Sequence, residues 1–556
     1  MKKIVYMLLL FMFASCDKAD KNEPSTVDPN KWTLVEIQEP LMAVSTRGYN
    51  TISEDENVMM LGKKLKNPYS VNNMRIAYNN LTKTGGAPNI DIKATHLYLK
   101  FSPKDSTEFE TLKELKNVEF YSYPLDYEIL SEGVCSDPAV EDDGIPTLWA
   151  AVRIDQKLPA NLNYEVLDYL FIPEKSTATK SGNEYLSEDF IDQIETEALR
   201  ITHNDGEIEI PTRSKNKWYP NGRIQVYDDA LNRLMPLEGV KVRARRWFTT
   251  KIMYTNRQGY FEAQSSFKRP ANYSIVWEGD YWDIRSGIFG QAFYKGPKMK
   301  DSWNLNIESG RTIRYAHMHR AAYRWFHKNT YGFSRPNYDR KIKISYRNKN
   351  KRFSGDFWRN FTCGILPDIR IFKSTKGREL KMHEIFSTTI HELGHASHAS
   401  NSRIYGKTKN IICESWASFA EDQLTKEDYK EWAGRDPFSK VYIYFHMNRP
   451  WPLNYPDSLN MQDWTGYKFD DTDDYTPLFI DIHDNSNQRL LGKLLKDDFA
   501  NNYVNDNVGI ADIRLIEYIA FNSKTITDVK NKLKALAGKT SIPFSEQDVD
   551  NLLEFY

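Results

Sequence analysis

The run Thr389-Ile390-His391-Glu392-Leu393-Gly394-His395 demands a helix before any other part of the chain is considered. Two histidines at i and i+4 fall on one face only when the backbone turns once between them, and both imidazoles can then reach one metal ion. Residues 382 to 399 contain no proline and set Ile385, Phe386, Ile390 and Leu393 on a stripe suited to burial, so the spacing predicts a helix there. Gly394 is its one weak helix former. A glycine costs roughly 1 kcal/mol relative to alanine, and its missing side chain lets a neighbouring segment approach.

Three residues compete to be the third ligand. His398 lies at i+7 from His391, about 10 Å along a straight helix at 1.5 Å per residue, too far to share one ion. A histidine six positions after His395 would fall at residue 401, which is Asn401. Glu414 remains, after 18 intervening residues, on a second predicted helix from about 411 to 424 that returns after a loop containing Gly406. Two nitrogens and one oxygen then surround the ion, and Glu392 stands beside them as candidate general base.

The spacing H-E-x-x-H-x18-E over His391, Glu392, His395 and Glu414 resembles the gluzincins, the thermolysin-like zinc metallopeptidases, and comes close to their aminopeptidase branch. That resemblance, carried by residues 311 to 425, implies Zn2+ held by His391, His395 and Glu414. It also implies a zinc-bound water that Glu392 deprotonates for attack on a peptide bond of a peptide or protein substrate. One position departs from the family: where thermolysin-like enzymes carry an aspartate four residues after the glutamate ligand, this chain has Ser418, with Glu421 and Asp422 as possible substitutes. Related enzymes supply an oxyanion donor downstream, and Tyr475 and His483 are the candidates. They lie in residues 473 to 484, a strand-like apolar run among polar residues that resembles the downstream segment of lipoprotein metallopeptidases. Each also has a plain reading as part of an ordinary strand and loop.

Upstream, Pro367 to Phe372 alternates apolar and polar residues as an edge strand does, and in gluzincins such a strand binds substrate by strand addition. Lys341 to Tyr346 is expected in the same sheet, after a helix from Ala316 to His327 whose His317, His319 and His327 read as packing or surface residues.

At the N-terminus, Lys2 and Lys3 precede the apolar run Ile4 to Phe13 and then Ala14-Ser15-Cys16. The charged region, short apolar region and small residues make a signal peptide of residues 1–16. A cysteine directly after two small residues resembles the lipobox of bacterial lipoproteins, with Phe13 where leucine is usual. It implies lipid on Cys16 and a cell-envelope protein on the outer membrane or surface of a Gram-negative bacterium. Residues 17–30 then read as a flexible tether. The remaining cysteines, Cys135, Cys363 and Cys413, imply no disulfide framework, and Cys413 reads as a small buried residue.

Equal numbers of basic and acidic residues, 75 each, argue against a nucleic-acid partner. A chain of 556 residues, 40% hydrophobic and 27% charged, has room for several domains. The expected fold is multidomain: an α+β N-terminal accessory domain over 31–205, a β-sandwich over 216–300, and an α+β zincin-like catalytic domain over 311–556. The middle part rests on short alternating runs with Gly at the turns, residues 222–228, 236–244 and 255–261, which resemble a carboxypeptidase-regulatory-like sandwich. The C-terminal part is expected to end in helices over 512–522 and 545–554. The functional expectation is a zinc peptidase; the alternative is a non-catalytic surface binding or adhesion lipoprotein with a structural or inactive metal site. Nothing in the sequence fixes an oligomeric state.

Overall fold

The computed structural model describes residues 58–83, 90–134, 144–173, 188–204, 217–358, 366–433, 476–484, 487, 489–490, 493 and 504–556, all within one compact unit. The signal segment, Cys16, the tether, Cys135, Cys363 and Tyr475 lie outside the described residues. The architecture is mixed α+β, built on several separate sheets.

In the first part, strands β1 (Leu61–Lys64) and β3 (Tyr127–Ile129) pair with each other, while β2 (His96–Phe101) is flanked by β4 (Leu148–Arg153) and β5 (Tyr164–Leu170). Helices α1 (Val71–Thr82), α2 (Ser106–Lys113) and α3 (Glu188–Ile201) accompany them. Ser70 and Asp105 open the first two helices by accepting the Asn73 and Glu108 amides, which satisfies donors the helix itself leaves unpaired.

The next strands form two four-stranded sheets. One contains β6 (Asn221–Asp228), β7 (Arg233–Pro236), β10 (Tyr260–Glu262) and β15 (Trp303–Ile307); the other contains β8 (Lys241–Arg246), β9 (Thr249–Tyr254), β11 (Ala271–Val276) and β14 (Phe293–Met299). Alternate residues of β6, among them Ile224 and Val226, are buried, as period-two patterning requires. The sheets meet through Tyr273 on β11, whose ring lies 5.3 Å from Trp303 on β15 and 6.0 Å from Phe261 on β10.

Strands β12 (Trp282–Ser286) and β13 (Gly290–Gln291) fall within the stretch expected to be sandwich, yet they join a sheet with the C-terminal strands. That sheet runs β13-β12-β16-β18-β17, with β16 at Ile342–Lys351, β17 at Gly355–Phe357, β18 at Ile369–Thr375, and β19 (Arg378–Glu379) paired to β18. Lys341 to Tyr346 does share a sheet with the strand after Pro367, as expected. The edge, however, is elsewhere: β18 lies between parallel β16 and antiparallel β17, so β17 is the outer strand. Alternation along residues 367 to 372 reports a strand with unlike faces and carries no information on whether both its neighbours exist.

Helices α4 (Gly310–His327), α5 (Met382–Asn401) and α6 (Asn410–Ala433) pack beside this sheet, followed by α7 (Leu478–His483), α8 (Ile513–Phe521), α9 (Ile526–Leu536) and α10 (Glu546–Leu552). The run expected to be strand-like over 478–483 is helix α7. Its Leu478, Phe479, Ile480, Asp481 and Ile482 are all buried, and burial on every side erases the periodicity that separates helix from strand.

The turn after β6 ties these parts together. Asp229 accepts the Met382 and His383 amides at 2.7 and 3.1 Å and so caps α5. Its neighbour Asp228 accepts from Arg320 of α4 and from the Tyr429 hydroxyl of α6, both at 2.7 Å, while Arg320 also reaches Asp428 at 3.0 Å. Among the described residues no helix is long and apolar enough to cross a membrane.

Candidate metal centre

Helix α5 carries His391 and His395 one turn apart, and α6 crosses it closely enough to bring Glu414 to both. Gly394 permits the crossing, because a Cβ there would stand 3.0 Å from the Ala417 Cα and 3.4 Å from its Cβ. The three ligand atoms form a small triangle: His391 Nε2 to Glu414 Oε2 is 3.1 Å, His395 Nε2 to the same oxygen 3.0 Å, and the two Nε2 atoms are 3.2 Å apart. A tetrahedral ion with bonds of about 2.0 to 2.1 Å has ligand-to-ligand edges of about 3.3 Å, so the donor set fits a small divalent cation. Among the described residues it is the one group of three or more His, Cys, Asp or Glu side chains that could hold a metal.

The second nitrogen of His391 has a carboxylate partner of its own. Nδ1 lies 3.1 Å from Glu421 Oε2. A carboxylate only accepts, so Nδ1 donates to Glu421, and Nε2 is the nitrogen turned to Glu414 and His395. Of Glu421 and Asp422, it is Glu421 that meets His391, while Asp422 pairs with Lys426 at 2.6 Å. Burial opposes the charged imidazolium of His391, but Glu414 and Glu421 outweigh it and hold its pKa well above the usual value. Burial likewise opposes the Glu414 carboxylate, and the two histidines override it, pulling the group far below the usual range. Such a site prefers positive charge among its ligands.

Glu392 is 4% exposed, and its Oε2 has no hydrogen-bond partner among the described residues. Burial raises its pKa well above the carboxylate range, His391 opposes this, and Glu414 adds to it. Strand β17 lies directly over it: a Cβ on Gly355 would come 2.7 Å from Glu392 Oε1, so only glycine leaves the carboxylate its place. Phe357 of the same strand stacks on the His395 ring at 6.2 Å. The side chain of Glu414 is 22% exposed against 7% for each histidine, so the triangle opens on the Glu414 side.

Sequence reasoning missed Tyr405, in the 3-10 turn Tyr405–Lys407 between the two ligand helices. Its ring meets Phe357 edge-on at 6.3 Å and His398 at 4.9 Å. Burial, followed by the nearby Cys413, Glu414 and Glu392, holds the phenol protonated far above its ordinary range. The phenol thus keeps its proton to donate. No spacing rule pointed to it, since donors were sought only downstream.

The other expected residues are placed as follows. His483 lies on α7 with Nδ1 3.0 Å from the Ile510 carbonyl and its ring 5.2 Å from Phe419, and its nearest charges are Asp422 and Lys426. His398, expected on the helix flank, is fully buried, stacked face to face with Phe521 at 4.5 Å, and burial lowers its pKa to about 3. His317 and His319 pack inside and bond to the Tyr227 and Glu238 carbonyls, while His327 is exposed. Cys413 is buried and free.

No family model, curated protein or solved structure matches the chain. The reading of the centre therefore stands on its geometry and on the resemblance of its motif.

Proposed function

We propose that this chain is a zinc-dependent peptidase of gluzincin type, with a zincin-like C-terminal part, anchored in the cell envelope through lipid on Cys16 and acting on peptides or proteins. The observation that carries the reading is the 3.0 to 3.2 Å triangle of two imidazole nitrogens and one carboxylate oxygen, with an unpartnered carboxylate one residue from the first ligand. A purely structural metal has no use for Glu392.

Zinc, when bound, polarises the scissile carbonyl and lowers the pKa of a coordinated water from about 15.7 towards 7. The residues supply the rest. An extended peptide lies along the outer edge of β17, whose backbone groups take it as an added strand. Glu392 removes a proton from the attacking water and passes it to the leaving nitrogen, a role its buried, unpartnered oxygen suits. Tyr405 donates a hydrogen bond to the carbonyl oxygen as negative charge develops there, beside the downstream candidates Tyr475 and His483. Glu421 keeps His391 in the tautomer the metal needs.

Glu392→Ala tests the reading. The variant is expected to keep about one zinc per chain by elemental analysis and to lose about 10²- to 10⁴-fold in peptide hydrolysis. Full turnover in that variant removes Glu392 from the mechanism; a native chain that takes up no zinc removes the metal.

A further inference from the structure

A cavity of about 210 Å3 lies where the three parts of the chain meet, walled by residues from α2 and the 115–122 loop, from β8, β11 and β14, and from β13 and Lys341. That volume is several times the roughly 30 Å3 a water occupies in the liquid, so it is too large to be a packing gap. Its apolar wall includes Phe109, Phe120, Phe289 and Phe293.

One side chain gives the cavity its chemistry. Arg243 is 3% exposed and held between the Tyr121 ring, 4.1 Å from its guanidinium carbon, and the Phe293 ring at 5.5 Å. Its Nε reaches Ser274 Oγ at 3.4 Å, and its Nη1 reaches the Phe120 carbonyl at 3.1 Å and Glu119 at 3.5 Å. Nη2 makes no hydrogen bond with any described residue, which leaves a charged donor for a ligand.

The surrounding charge is unbalanced in the same direction. Lys241 sits between Glu119 at 3.0 Å and Glu278 at 2.7 Å, and Lys341 also leans on Glu278 at 3.5 Å. Lys113 spends its ammonium on a neutral acceptor, Gln291 Oε1 at 2.7 Å. Three cations, Arg243, Lys113 and Lys341, thus line the cavity against two carboxylates, Glu119 and Glu278, and an anion is what the site lacks.

We propose that this cavity binds a small organic carboxylate with an apolar body, its charge on Arg243 and Lys113 and its hydrocarbon part against Phe109, Phe289 and Phe293. The site is separate from the metal centre and holds whether or not the chain is a peptidase.

The test is calorimetric titration of the full chain with benzoate, 3-phenylpropanoate and hexanoate, each beside its neutral amide, and with inorganic phosphate. At least one carboxylate is expected to bind one per chain, about tenfold or more tighter than its amide, since a charge-assisted bond to a buried guanidinium is at stake. Arg243→Met is expected to abolish binding. Because that change could also unsettle the fold, Lys113→Gln at the rim serves as the second variant, expected to weaken binding several-fold with an unchanged melting temperature. No binding by any carboxylate, equal binding of acid and amide, or binding of phosphate alone overturns the proposal.

Discussion

At the scale of single residues, the candidate metal centre is a case in which three local letters and one distant letter carry most of the information. His391, Glu392, His395 and Glu414 are legible because helical geometry converts spacing into direction. Tyr405, Gly355 and Phe357 are not legible, because each acts across a turn or a strand whose placement depends on the whole sheet. Two predictions belong here. Tyr405→Phe is expected to lower kcat about 10²- to 10³-fold with little change in KM, as loss of one oxyanion donor does, and a larger effect on KM than on kcat would assign Tyr405 to ground-state binding. Glu421→Ala is expected to weaken zinc affinity about 10- to 100-fold, measured by competition with a chelator, because His391 loses the group that fixes its tautomer. Zinc affinity equal to that of the native chain would leave that role to another group.

Among elements, the crossing of α5 and α6 matters most. A valine at position 394 would drive its side chain into Ala417, and Gly394→Val is expected to cost about 1 to 3 kcal/mol in chemical denaturation and to splay Glu414 from the histidines. Helix α4 gives the pH dependence. Burial lowers the pKa of His317 and His319 to about 4, below the ordinary value of 6.5. The folded chain therefore refuses protons that the unfolded chain accepts, so their contribution to stability is complete above pH 6.5 and is lost as pH falls from 6.5 towards 4. Melting temperature is expected to drop across that window, and His319→Gln to flatten the slope; a slope unchanged in the variant would assign the acid lability elsewhere. Helix α5 and the C-terminal helices α8 and α10 were readable nearly to the residue, since buried stripes and the Ser545 cap are local signals, whereas α9 was not expected. The outer strand was misplaced, because being last in a sheet is a property of the neighbours and not of the strand.

The whole molecule is less divisible than its sequence suggests. Turn residue Asp229 caps the helix that bears His391, Asp228 holds the helix that bears Glu414, and β12 pairs with β16 across the expected boundary near residue 300. Composition shifts mark where patterns change, but not where the chain crosses back. Residues 311–556 expressed alone are accordingly expected to fail to fold and to bind zinc poorly, and a soluble, cooperatively melting fragment would refute this. Asp229→Ala in the full chain is expected to cost about 0.5 to 2 kcal/mol, the usual worth of a helix cap. The same turn also orders events in time. Residues 228 and 229 leave the ribosome well before the helices they hold, and domains tend to fold from the N-terminal side during synthesis. The clamp is therefore waiting when the ligand-bearing helices arrive, but the parallel pairing of β12 with β16 must bridge a long excursion of chain, a slow kind of closure. How quickly His391, His395 and Glu414 come together is then set by the assembly of the sheet.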